Sequence, residues 1–368
     1  MATTTSQPRL DCEILSEPRL KDVAALAGVS TATVSRVMHR NGYVSEDARA
    51  RVEAALRETG YRLNAVAQGL RQQRTTTLGH IVQGLLPNPF YAEVAMGVEH
   101  GADERGFTVL LFNARGNADR ERQGVETLLA RRVDGIVFTT ALEEDNVRLA
   151  YEAGTPVVEV EKPLFAAAGS VIADEYAGAL EAMRHLLELG HRKIGFLGEP
   201  PQPLPGRDGE TGRSRFGAYR DALAGVGEEV DRSRVVVGTY WQQPGYADLR
   251  PGFDYMERLL TQAPDTTAIF AASDVLAAGA LQDLYTRRIR VPEDLSVVGF
   301  DDTLARHLSP ALTTVQMPMF EMGRRAALMS IDAGHGGAVE RCTATLVVRG
   351  SSGPVRPAAT RRGARSGG

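Results

Sequence analysis

From Thr77 onward the chain alternates short apolar runs with helix-length amphipathic stretches, and this alternation constrains its fold more than any other feature. The runs are LGHIV, FTVLLFN, GIVFTT, PVVEV, KIGFLG, RVVVG, TAIFAA and LSVVGF, with a helical stretch between successive runs, the first from about Phe90 to Arg105. Strands joined through helices pair in parallel with crossovers of one hand. Gly106, Gly154 and Gly190 mark helix exits. About 270 residues of this pattern is long for one doubly wound sheet and suits two sheets facing across a cleft. The chain is expected to cross between them near 172–176 and again around 315–319.

Ahead of this body, residues 20–38, LKDVAALAGVSTATVSRVM, read as two short helices joined by a tight turn, a helix-turn-helix. Val23, Ala27, Val29, Val34, Val37 and Met38 form the apolar set that closes the helices on each other, and Gly28 stands where the first helix must stop. Ser30 is placed to cap the second helix. Thr31, Ala32, Ser35 and Arg36 share the face opposite the valines, and none is needed for packing. A third helix is expected from Ser45 to Gly60, with Glu46 and Asp47 in its positive first turn. The following YRLNAVAQGLRQQR is helix-compatible from Asn64 to Leu70 but too short to be stable alone.

Charge supports the same division. Residues 19–74 hold ten Lys/Arg and five Asp/Glu, a net of +5, so a chain of net −4 leaves −9 for the rest. A basic module on an acidic body is what a DNA reader with a regulatory domain needs. Two cysteines, Cys12 and Cys342, are too few for a disulfide scaffold and lack metal-ligand spacing, so no metal or cofactor is expected and the cytoplasm is the expected compartment. No run of about 18 apolar residues exists, which argues against a membrane span. Residues 1–18 and 354–368 read as disordered extensions.

KDVAALAGVSTATVSRV, GYRLNAVAQGLR, HLLELGHRKIGFLG and VPEDLSVVGFDD followed by LSPALTTV, in this order, resemble the LacI-type family of bacterial transcriptional repressors from Leu20 to about Gly353. The resemblance implies an all-α helix-turn-helix headpiece (19–62), a hinge helix and linker (63–76), and an α/β periplasmic-binding-protein-like effector domain (77–353) of two parallel-sheet lobes. The expected lobes are 77–174 with 304–331, and 175–303 with 332–353. It also implies a homodimer or tetramer, read here as a homodimer, on a pseudo-palindromic double-stranded operator. Thr31, Ala32 and Arg36 then fall at base-reading positions in the major groove, Arg36 suited to guanine, while Ser30, Thr33, Ser35 and His39 position phosphates. Leu70 matches the leucine that wedges into the minor groove, with Asn64, Ala67 and Arg71 on the same segment. Leu63 stands where the family commonly has proline.

The resemblance places effector contacts on Phe90, Tyr91, Arg215 and Asp301, with Tyr240 or Trp241 as an aromatic platform and Glu161, Asp274 and Thr211 as further candidates. A guanidinium and a carboxylate suit vicinal hydroxyls or a base edge. The competing account makes Arg215 and Asp301 a structural ion pair and Trp241 core. The expected effector is a sugar or sugar derivative acting as inducer, with a purine-type corepressor as the alternative. A rival from another class is a sugar-binding protein or a sugar-processing enzyme. G-x-S-x-G, P-loop, H-E-x-x-H and G-x-G-x-x-G signatures do not occur in a suitable context, which argues against an enzyme.

Overall fold

The structure, a computed structural model, describes residues 18–39, 41–61, 74–84, 89–199, 214–238, 249–332 and 336–356. The chain divides into Met1–Gln73 and Arg74–Gly368, at a boundary inside the expected 63–76 linker.

The first unit is built on α1 (Leu20–Ala27), α2 (Thr31–Met38) and α3 (Glu46–Thr59). Val23, Val34 and Val52 meet in its centre with no exposed surface. At roughly 1.5–3 kcal/mol for each fully buried valine, these contacts dominate the stability of so small a core. Gly28 turns the chain with φ +63°, and the Val29 N–H reaches back to the Ala24 carbonyl at 3.0 Å, closing the helix end. Ser45 caps α3, its hydroxyl accepting from the Ala48 N–H at 3.4 Å.

The second unit holds two six-stranded sheets. In the first lobe β1 (Thr77–Val82), β2 (Thr108–Asn113), β3 (Gly135–Thr139), β4 (Val157–Val160), β5 (Gly169–Ala173) and β11 (Val339–Cys342) lie in the order β11-β5-β4-β3-β1-β2, all parallel. In the second, β6 (Ile194–Gly198), β7 (Val235–Val237), β8 (Ala268–Ala271), β9 (Ser296–Asp301), β10 (Thr313–Gln316) and β12 (Thr345–Val347) lie in the order β12-β10-β9-β8-β6-β7, with only β10–β12 antiparallel.

Strand residues alternate between faces, as the pleat requires. In the first lobe Leu78, Val137 and Val158 join the core under α4 (Pro89–Asp103) and α11 (Met319–Asp332). Ile81, Ile136 and Phe138 join the opposite core under α5 (Ala118–Ala130) and α6 (Glu144–Glu152). The second lobe is covered by α7 (Glu175–Glu188), α8 (Arg215–Ala224), α9 (Arg250–Gln262) and α10 (Asp274–Thr286). Helices α4 and α11 pack backbone to backbone. A Cβ on Gly97 would lie 2.0 Å from the Phe320 carbonyl oxygen, and one on Gly323 would lie 2.1 Å from that of Val94.

The chain passes between the lobes three times: after Ala173, between Gln316 and Met319, and between Cys342 and Thr345. This corrects the expected lobe assignments. Residues 304–316 belong to the second lobe, because Thr313–Gln316 pair with Val298–Asp301. Val339–Cys342 belong to the first, paired with Ser170–Ala173. Both strands have four residues, and Val339, Glu340 and Arg341 are exposed, so no apolar run advertises that edge strand.

Candidate DNA interface and effector cleft

Ser30 starts α2 with its hydroxyl accepting from the Thr33 N–H at 3.2 Å and sharing a 3.0 Å hydrogen bond with the Thr33 hydroxyl. That cap fixes the helix end whose unsatisfied N–H groups favour an anion. Thr31, Ala32, Arg36 and His39 are exposed, Thr33 and Ser35 are half-buried, and Val34 and Val37 face the core. The Arg36 stem runs beside Gly42, where an added Cβ would lie 3.7 Å from its Cδ. Tyr43 follows Gly42 directly and is 91% exposed, an aromatic side chain that the sequence pattern did not single out. Asn64, Ala67, Leu70 and Arg71 lie outside the described residues, as do Thr211, Tyr240 and Trp241.

The cleft side chains stand at the carboxyl ends of the strands, where open α/β sheets bind ligands. Four non-glycine residues at these ends have left-handed backbone: Thr140 (φ +56°), Glu161 (φ +78°), Asp301 (φ +108°) and Asp302 (φ +59°). Backbone strain of this kind persists where the surroundings enforce a functional geometry.

Arg215 is the first residue of α8, set by a Ser214 cap that accepts from the Gly217 N–H at 3.0 Å. Its Nε and Nη2 donate to the two Glu175 oxygens at 3.1 Å each, and Nη1 donates to the Ala272 carbonyl. The guanidinium lies 4.0 Å from the Phe300 ring centroid. Beneath it Phe196, Phe216, Tyr219, Phe270 and Phe300 form an aromatic bed. Nη2 also faces Asp301 Oδ1 at 3.7 Å and, from the other lobe, Glu161 Oε1 at 3.9 Å. Both distances exceed a direct hydrogen bond. The next residue, Lys162, faces Glu199 across the lobes at 3.8 Å.

Burial pushes the Asp301 carboxyl well above its ordinary range, and it raises Glu161 too, although Lys162 and Arg215 oppose that shift. Glu175 is also pushed up by burial, but the Arg215 guanidinium overcomes this and holds it below its usual value. Glu161 is fixed from its own lobe by the Thr140 hydroxyl, which donates at 2.7 Å.

The structure therefore brings Glu161, Arg215 and Asp301 together and adds Glu175, Lys162, Glu199 and Thr140 around them. Asp274 requires correction as a ligand contact. Its carboxylate is fully buried and accepts from the Thr303 N–H at 2.8 Å, the Leu304 N–H at 3.3 Å and the Thr314 hydroxyl at 2.6 Å. It anchors the turn after Asp301 from below, and burial pushes it up to about 7. Phe90 is 4% exposed and packs with Leu78 and Val94, edge-on to Tyr91 at 5.2 Å; Tyr91 is only half-buried. A signal for Glu175 was present in sequence, since it follows the first crossover at the mouth of a helix.

Two family descriptions match the chain: "Bacterial regulatory proteins, lacI family" over residues 19–64 and "Periplasmic binding protein-like domain" over residues 183–352. The HTH-type transcriptional regulator CelR of Thermobifida fusca is 37% identical over 324 residues, 86% of this chain and 91% of CelR. A solved transcriptional regulator CelR–cellobiose complex has a TM-score of 0.67 at 33% identity, covering 91% of this chain and 100% of its own. The lac repressor dimer bound to operator and the anti-inducer ONPF gives a TM-score of 0.77 at 26% identity, covering 91% and 99%. The likeness spans both the helical headpiece and the two-lobed body.

Proposed function

The chain belongs to the LacI family of bacterial transcriptional regulators, and on that premise we propose that its cleft takes a small saccharide that releases it from a pseudo-palindromic operator. It is a DNA-binding repressor of that family, with a helix-turn-helix headpiece joined to a periplasmic-binding-protein-like body. The reading is of a cytoplasmic homodimer, each headpiece presenting α2 to one half-site, with regulation rather than catalysis as its activity. Arg36 reads a guanine, Thr31 and Ala32 contact neighbouring base edges, and Ser30, Thr33, Ser35 and His39 hold phosphates. The Leu70 segment is assigned to the minor groove.

One observation carries the effector assignment: Arg215, clamped on Glu175 and Phe300, points toward carboxylates from both lobes at distances a bridging hydroxyl closes. A ligand there touches both lobes, so its binding free energy depends on how they are set. By linkage, a saccharide that weakens operator binding is itself bound more weakly by the operator complex, by the same factor.

The test is binding of purified full-length chain to genomic fragments at fixed near-physiological salt, with and without cellobiose and other saccharides. A palindromic site released by a saccharide is the expected result. Tightening by a purine would replace induction with corepression, and the lack of any specific site would overturn the repressor reading.

A further inference from the structure

We propose that the cleft admits only effectors without an anionic group, so that the chain responds to a free saccharide and rejects its phosphorylated or acid form, with Glu161 enforcing the choice. This rests on the reading of the cleft as the effector site and adds the chemical state of the ligand.

The argument is one of charge placement. Among the described residues the centre of the cleft holds two cations, Arg215 and Lys162, and four carboxylates, Glu161, Glu175, Glu199 and Asp301. The Arg215 guanidinium is already held bidentately by Glu175 and by the Ala272 carbonyl, with an aromatic ring against its face. A phosphate or carboxylate seeking the same two-pronged contact meets Glu175 in the position it needs. Its Nη2, which already donates to Glu175, is also flanked by Glu161 and Asp301. Among the described residues the Asp301 carboxylate takes no hydrogen bond, only this longer ion pair. Glu161 takes a single hydrogen bond, from Thr140. Such oxygens need donors, which hydroxyls and amines bring and a fully ionised phosphate does not. Burial raises the proton affinity of both carboxyls, and the neighbouring carboxylates add to that rise.

Glu161 is the enforcing residue because, among the described residues, it alone is ion-paired with Arg215 from the first lobe. Its backbone is left-handed and its Oε2 is fixed by Thr140, so it has little freedom to withdraw from an incoming anion.

The experiment uses the full chain and measures binding of glucose, ribose and cellobiose beside glucose 6-phosphate, ribose 5-phosphate and cellobionic acid, with glucosamine as the cationic member. The neutral binder is expected to lose about 100-fold or more in affinity on acquiring the anionic group, since a unit charge some 4 Å from a poorly solvated carboxylate is repelled by more than that ratio requires. Glu161→Gln should narrow the gap to about 10-fold by removing that repulsion. Thermal melting in inorganic phosphate against chloride at equal ionic strength supplies a second arm that needs no known effector. Here wild type and Arg215→Gln should gain equally, whereas Glu161→Gln should gain a further phosphate-dependent rise. An anionic sugar that binds as tightly as its neutral form, or a phosphate-induced rise in wild type that vanishes in Arg215→Gln, overturns the proposal. A saccharide bound equally well by Arg215→Gln lies elsewhere, and the effector-site reading then falls, taking the proposal with it.

Discussion

Single side chains carry two separable kinds of work here, reading DNA and holding the body together, and each can be tested alone. Arg36→Ala should relax preference at one base pair of each half-site by about 1–3 kcal/mol while leaving nonspecific affinity nearly unchanged, as measured against a half-site library. A uniform loss across sequences would make Arg36 a phosphate contact instead. His80, fully buried on β1, shares a 2.8 Å hydrogen bond with the Thr139 hydroxyl, and burial pushes its pKa down to about 3. Because the folded value lies below the ordinary 6.5, stability is intact above pH 6.5 and declines as pH falls from 6.5 toward 3. The expected slope from this residue is about 1.4 kcal/mol per pH unit. Denaturant titrations at pH 7 and pH 5 should show that difference shrink in His80→Val, and an unchanged slope would refute the assignment. Arg215 and Asp301 were legible because motif position marks them. Lys162 was not, because ion pairing between lobes leaves no local pattern in a sequence, and Glu175 offered only its place at the start of a helix after the first crossover.

At the level of elements, the glycines of α4 and α11 are where spacing is least negotiable. Gly97→Ala drives a methyl into a backbone carbonyl rather than a movable side chain, so roughly 1–3 kcal/mol or more should be lost in chemical denaturation. A neutral result would mean that the two helices can separate without penalty. The long apolar strands and the capped helices were readable because pleat and cap chemistry repeat locally. The strands GSVIA, TTVQ, VERC and TLV were missed as strands, because polar residues interrupt them, unlike the equally short apolar runs that were read. Their pairing comes from tertiary context. The C-terminal segment was equally silent in sequence. It is tied to the second sheet by Val297 N–H to the Ser351 carbonyl at 2.8 Å and by buried His191, whose Nε2 lies 3.0 Å from the Gly353 oxygen.

For the whole molecule, the division at Gln73 and Arg74 separates the helix-turn-helix unit from the two-lobed unit. A chain beginning at Arg74 should lose operator binding and keep saccharide affinity within about threefold, because only the linkage to DNA is removed. Loss of both in a chain that still melts cooperatively would place effector contacts in the removed part. The two-lobed plan was legible from the length and rhythm of the alternation. Three passages between lobes were expected, and those near 172–176 and 315–319 lie where the chain crosses; the one between Cys342 and Thr345 was not placed, because it follows a four-residue strand that is mostly exposed. That passage also bears on synthesis. The headpiece leaves the ribosome ahead of the body, yet α11 and β11 of one lobe and β12 of the other emerge only after the other described elements. Until then Val137, Val158 and Val171 lack their covering helix, and neither sheet has all its strands. A message cut short therefore yields a DNA-reading headpiece on two unfinished halves, an aggregation-prone product rather than a smaller regulator.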